Sequence, residues 1–128
     1  MSEEKFSILN KTKSTLPRVP FDKMKNEALG KKYSLSLVFI GDSASKKLNF
    51  SYRGKNKATN VLSFPLDKKS GEIFITPGVV KKQTRLFNRK FENLIAFLFI
   101  HGLMHLKGYD HGDTMDRAEE KLRRKFSV

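Results

Sequence analysis

Residues 89–107, RKFENLIAFLFIHGLMHLK, decide how this chain folds. From Leu94 to Leu106 the stretch is apolar nearly all round, interrupted only by His101, Gly102 and His105. A helix that is apolar on every side has no solvent face, so it must run through the core. The apolar run is too short to cross a bilayer, which takes about 20 residues. Asn88 is placed to cap the helix and Gly108 to end it. The remaining segments are expected to pack around this one helix.

Working outward, Tyr33–Ile40 (YSLSLVFI) alternates and then turns continuously apolar, the pattern of a strand entering a core. Thr59–Phe64 and Glu72–Thr76 read as strands stopped by Pro65 and Pro77, with a turn from Leu66 to Gly71, and together suggest a hairpin. Lys5–Leu9 is an edge-strand candidate. Apolar residues at Phe21, Met24, Ala28 and Leu29 mark a helix closed by Gly30. A second helix begins at Asp42 or Ser43 and runs to about Tyr52, with Ala44, Leu48 and Tyr52 inward. A weakly signalled helix covers Val79–Leu86. A last one follows Asp113 or Thr114, with Met115, Ala118, Leu122 and Phe126 on one face. Three or four strands and about five helices make one α+β domain over residues 1–128.

Composition narrows the chemistry. The 128 residues contain no cysteine, which excludes disulfide scaffolds, thiolate zinc fingers, iron–sulfur clusters and thiol enzymes. Lys and Arg number 26 against 13 Asp and Glu, for a net charge of +13. The excess is local. Residues 31–90 hold 14 basic and 3 acidic groups, whereas residues 91–128 hold 6 of each. A basic field of this kind concentrates polyanions and speeds their encounter, which points to nucleic acid or the ribosome. The acidic start, without an apolar run behind it, argues against a secretory signal and for a cytoplasmic protein.

All three histidines fall in one window, His101-Gly-Leu-Met-His105-Leu-Lys-Gly108-Tyr-Asp-His111. On a helix, His101 and His105 stand about 40° apart around the axis and one turn displaced, so both can reach one ion. Gly108 allows a turn that returns His111 as a third ligand. Three imidazoles leave a fourth position on a tetrahedral ion, the arrangement of catalytic zinc sites. One zinc per chain is the expectation, with nickel, copper or iron as alternatives. The spacing is also that of metzincin proteases, HExxHxxGxxH, but Gly102 stands where their glutamate base would be. Asp110 is placed either to orient a ligand imidazole or to cap the loop.

The string HGLMHLKGYDH resembles the signature HGxLHLxGYDH of the YbeY family, bacterial rRNA maturation factors described as metal-dependent, single-strand-specific endoribonucleases. Leu48-Asn49, Tyr52-Arg53-Gly54-Lys55 and Thr59–Pro65 are similar to that family's LNxxYRGKxxxTDVLSFP, and Gly71–Ile75 to its GDIxI strand. The resemblance implies a mixed four-stranded sheet with helices and zinc at His101, His105 and His111. It also implies a role for Arg53 in RNA handling, with 16S rRNA 3′-end processing and ribosome quality control as the biology. Its partners would be rRNA and the small ribosomal subunit or assembly factors, with no membrane. Asn60 stands where that pattern has Asp, and Met104 where it has Leu.

On this reading Arg53 stabilises charge developing on a phosphodiester, since guanidinium pairs well with phosphate oxygens. Lys55 and Lys57 beside it, and Lys46 and Lys47 before it, contact backbone phosphates. Tyr52 either stacks on a base or packs beneath the turn. Two alternatives stay open at this point: a zinc metallohydrolase of the protease type, and a non-catalytic ribosome assembly factor.

Overall fold

The alternation at residues 33–40 becomes the second strand of a four-stranded sheet. The computed structural model describes residues 5–110 and 112–128. Elements run β1 (Phe6–Asn10), α1 (Phe21–Leu29), β2 (Ser34–Phe39), α2 (Asp42–Arg53), β3 (Val61–Asp67), β4 (Ser70–Ile75), α3 (Pro77–Phe87), α4 (Phe91–Lys107) and α5 (Asp113–Lys125). Strand order is β1-β2-β4-β3. β1 and β4 flank β2 in parallel, and β3 pairs antiparallel with β4. The fold is the expected α+β class, with a mixed sheet of four strands and five helices.

Helix α4 lies at the centre. Leu94, Ile95, Phe99, Ile100 and Leu103 are fully buried, facing a sheet whose Leu37, Phe39, Ile73 and Ile75 are likewise closed to solvent. Phe99 meets Phe21 of α1 edge-on at 5.0 Å between ring centroids. Fully burying one such side chain stabilises by about 1.5–3 kcal/mol. α4 can come this close because Gly71 lies opposite its end. A Cβ there would sit 2.9 Å from Leu106 Cδ2 and 2.5 Å from the Tyr33 hydroxyl. α1 buries Phe21, Met24 and Ala28, and α5 buries Met115 and Leu122, as their spacing predicts.

Several boundaries differ from the sequence reading, each for a physical reason. Pro65 does not stop β3, which continues to Asp67 and leaves only Lys68 and Lys69 in the turn. β3 is the outer strand, where a missing N–H breaks no ladder, and the register shifts between Pro65 and Asp67. Pro77 does more than end β4: it opens α3, at a position whose N–H would have no partner in the helix anyway. Asn88 does not cap α4. It ends α3 in the left-handed conformation (φ 51°), and Lys90 is the residue before α4. The inward face of α2 is polar: Ser45 and Asn49 are buried, while Ala44 and Tyr52 are exposed.

Candidate active site

Two elements deliver the principal side chains. α4 carries His101 and His105 on its last two turns and ends at Gly108, whose φ of 105° only glycine adopts readily. The following Tyr109 N–H donates to the Met104 carbonyl at 3.2 Å. α2 carries Arg53 as its last residue, where a cation suits the helix dipole, and ends at Gly54 (φ 69°). The loop after α2 is tied back to it by two buried side chains. Asn49 Nδ2 donates to the Lys57 carbonyl at 2.9 Å. The Ser45 hydroxyl accepts from the Thr59 N–H at 2.9 Å and lies 3.1 Å from the Thr59 carbonyl.

Between these elements and β3 lies a cleft of about 890 Å³. Arg53, His101, His105 and Asp110 all line it, so Arg53 shares one hollow with residues about 50 positions further along the chain. His111 lies outside the described residues. Lys46, Lys47, Lys55 and Lys57 are exposed on α2 and its loop, outside the lining of the cleft. Asp110 is exposed. Tyr52 lies at the cleft with 68% of its surface exposed, its ring 4.6 Å from that of Phe64.

The two imidazoles converge. His101 Nε2 and His105 Nε2 are 3.1 Å apart, with the rings at 87°. Two nitrogens bound at about 2.05 Å to one tetrahedral ion would stand about 3.3 Å apart. The pair therefore fits as two ligands of one small divalent ion. His101 Nδ1 is held on its far side by Glu119 Oε1 at 2.5 Å, the carboxylate–histidine arrangement that fixes a ligand's tautomer and orientation. Glu119 Oε2 lies 3.7 Å from Arg123 Nη1. Arg123 in turn lies over the Phe97 ring at 5.2 Å, and Arg89 over the same ring at 4.2 Å. Burial first, and then the charge of Arg123, lower the pKa of Arg89 from its ordinary value.

Sequence reasoning missed Glu119. A signal existed. Glu119 lies four residues after Met115 and three before Leu122, on the apolar face of α5, and an acid on such a face needs a partner. Two further positions gain a physical reading. Asn60 Nδ2 donates to Gln83 Oε1 at 2.9 Å, bracing the start of β3 against α3 with a donor that an Asp would lack. Gly102 is buried, and a Cβ there would stand 3.1 Å from Ile73 Cδ1. The place of the metzincin glutamate is thus pressed against the sheet.

A family model described as Endoribonuclease YbeY matches residues 2–126. The chain belongs to that family. It is 35% identical over 117 residues to Endoribonuclease YbeY of Buchnera aphidicola subsp. Acyrthosiphon pisum, a match covering 80% of this chain and 76% of that protein. It is 39% identical over 101 residues to Endoribonuclease YbeY of Thermodesulfovibrio yellowstonii, covering 72% of this chain and 64% of that one. The solution structure of TM1509 from Thermotoga maritima is similar with a TM-score of 0.68 at 28% identity, over 94% of this chain and 88% of that one. The resemblance read from the histidine and YRGK strings is therefore a true family relationship. Among the described residues, no helix is long and apolar enough to cross a membrane.

Proposed function

We propose that this chain is an endoribonuclease that cuts single-stranded RNA with the help of one zinc ion at His101, His105 and His111, and that it works in the cytoplasm on the 3′ end of 16S rRNA. The observation that carries the reading is the convergence of His101 and His105 at 3.1 Å in the same cleft as Arg53. The name shared by the YbeY relatives supports ribonuclease activity, and the basic middle of the chain supports an RNA substrate.

His101, His105 and His111 would hold a zinc ion, which would supply a Lewis acid and a water acidic enough to act near neutral pH. The chain's own residues do the rest. Glu119 holds His101 by Nδ1, leaving Nε2 turned to His105. Arg53 offers a guanidinium to the scissile phosphate, where charge grows as the bond breaks. The exposed Lys46, Lys47, Lys55 and Lys57 hold flanking phosphates. Tyr52, seated on Phe64, offers an exposed ring for an unpaired base.

The test compares 16S rRNA 3′ ends in cells carrying the parent or His105→Ala, alongside cleavage of a single-stranded RNA by each purified protein. Extended precursor ends and lost cleavage in the variant are expected. Correctly processed ends with His105→Ala would make the protein a non-catalytic assembly factor.

A further inference from the structure

A second hollow, of about 600 Å³, lies between α1, the end of α4 and α5. Lys107, Arg117, Lys121 and Lys125 rim it over an apolar floor that includes Leu122. This is unexpected from charge by region, since residues 91–128 are balanced. Helix α5 sorts the balance in space. Arg117, Lys121 and Lys125 follow at four-residue intervals down one flank, one cation per turn or about 6 Å. Asp113 heads the same row at the start of the helix, and Asp116 and Glu120 fall beside it, where Glu120 pairs with Arg124 at 2.7 Å. Lys125 pairs with Glu27 at 2.7 Å and so closes the far end. Lys107, Arg117 and Lys121 are exposed, and no carboxylate among the described residues lies within 4 Å of them.

This groove adjoins the cleft of the histidines. Tyr109 lines both hollows, directly after the Gly108 turn. A strand lying in the cleft that passes Tyr109 therefore meets Lys107, Arg117 and Lys121, none of which has a carboxylate within 4 Å among the described residues. We infer that the α1–α5 groove continues the RNA path, taking the sugar–phosphate backbone of the strand beyond the scissile bond on Lys107, Arg117 and Lys121. The inference rests on the endoribonuclease reading and adds to it a second binding site on the side away from α2. RNA is favoured over an acidic protein because Tyr109 lines both the groove and the cleft.

The test uses single-stranded 2′-O-methyl oligonucleotides, one short enough to fill only the cleft and one long enough to span both hollows. Binding to the full chain is followed by fluorescence anisotropy across a salt series. The double variant Arg117→Gln with Lys121→Gln should lose about tenfold in affinity for the long oligonucleotide. Its slope of log affinity against log salt should flatten by about 1.4, for two lost phosphate contacts on a single strand. Short-oligonucleotide binding should not change. The charge-conserving pair Arg117→Lys with Lys121→Arg should bind as the parent does. Unchanged long-oligonucleotide affinity and slope in the Gln variant would overturn the groove assignment and leave the nuclease reading standing. A parent that binds neither oligonucleotide would overturn both. Unchanged RNA binding with lost binding to small-subunit proteins would assign the groove to an acidic protein and overturn the RNA path.

Discussion

Helices α4 and α2 both bring a side chain to the cleft, His101 and Arg53, yet they are seated by different forces. α4 is surrounded by apolar side chains from the sheet, α1, α3 and α5. α2 leaves Phe50 and Tyr52 exposed, and its buried residues, Ser45 and Asn49, hold the following loop by hydrogen bonds. The difference teaches how the site divides its tasks. The two histidines proposed to hold the metal sit on the most deeply buried helix of the fold. The arginine proposed to meet RNA sits at the junction of an exposed helix and a loop held by hydrogen bonds.

The comparison can be broken at its strongest point first. Phe99→Ala leaves a cavity beneath α4 and should lower unfolding free energy by about 3–5 kcal/mol, measured by urea denaturation. A loss below about 1 kcal/mol would show that α4 is not the element organising the fold. Arg53→Ala should reduce RNA cleavage by about a hundredfold, about 2.7 kcal/mol in the barrier, while bound zinc per chain stays at the parent level. Loss of zinc together with activity would mean that the two walls are coupled rather than divided. Glu119→Gln keeps the shape but weakens the hold on His101. Zinc affinity, by competition with a chelator, should fall about 10- to 100-fold with the fold intact. Asn49→Ala should cost about 0.5–1.5 kcal/mol of stability, the typical worth of one hydrogen bond. Its cleavage rate should fall more than its stability does, because the Arg53 loop has lost a tie. Equal cleavage by Asn49→Ala and parent would show that the loop is positioned by other contacts.

The sequence makes the α4 side of this division legible and the α2 side much less so. Apolar periodicity names a core helix without reference to anything distant, and the expected Leu94–Leu106 run lies wholly inside α4. The pairing of His101 with His105 needs only helical geometry. Arg53 enters the cleft through tertiary folding, and its family motif, rather than its local pattern, draws notice to it. The inner face of α2 is not legible in the sequence, because a polar stripe that bonds to a loop carries no hydrophobic period. Glu119 escaped because its partner lies 18 residues away on another helix. Pro65 and Asn88 misled because each has two uses. Proline ends an inner strand but is tolerated at an edge, and asparagine caps either end of a helix. The sorting of charge on α5 was hidden by a balanced count.

Gly102 separates two reaction types that look like close neighbours on paper. In the written sequence, one substitution to Glu would complete HExxHxxGxxH and seem to offer a route from ribonuclease to protease. In the folded chain that route begins with a carbon 3.1 Å from Ile73, followed by a carboxylate beside a fully buried strand residue. Such a change would have to displace the Ile73 side chain by a few tenths of an ångström and place a carboxylate against apolar surroundings. Drift at the histidine motif toward that glutamate therefore meets a packing and desolvation cost set by Ile73, a residue outside the motif.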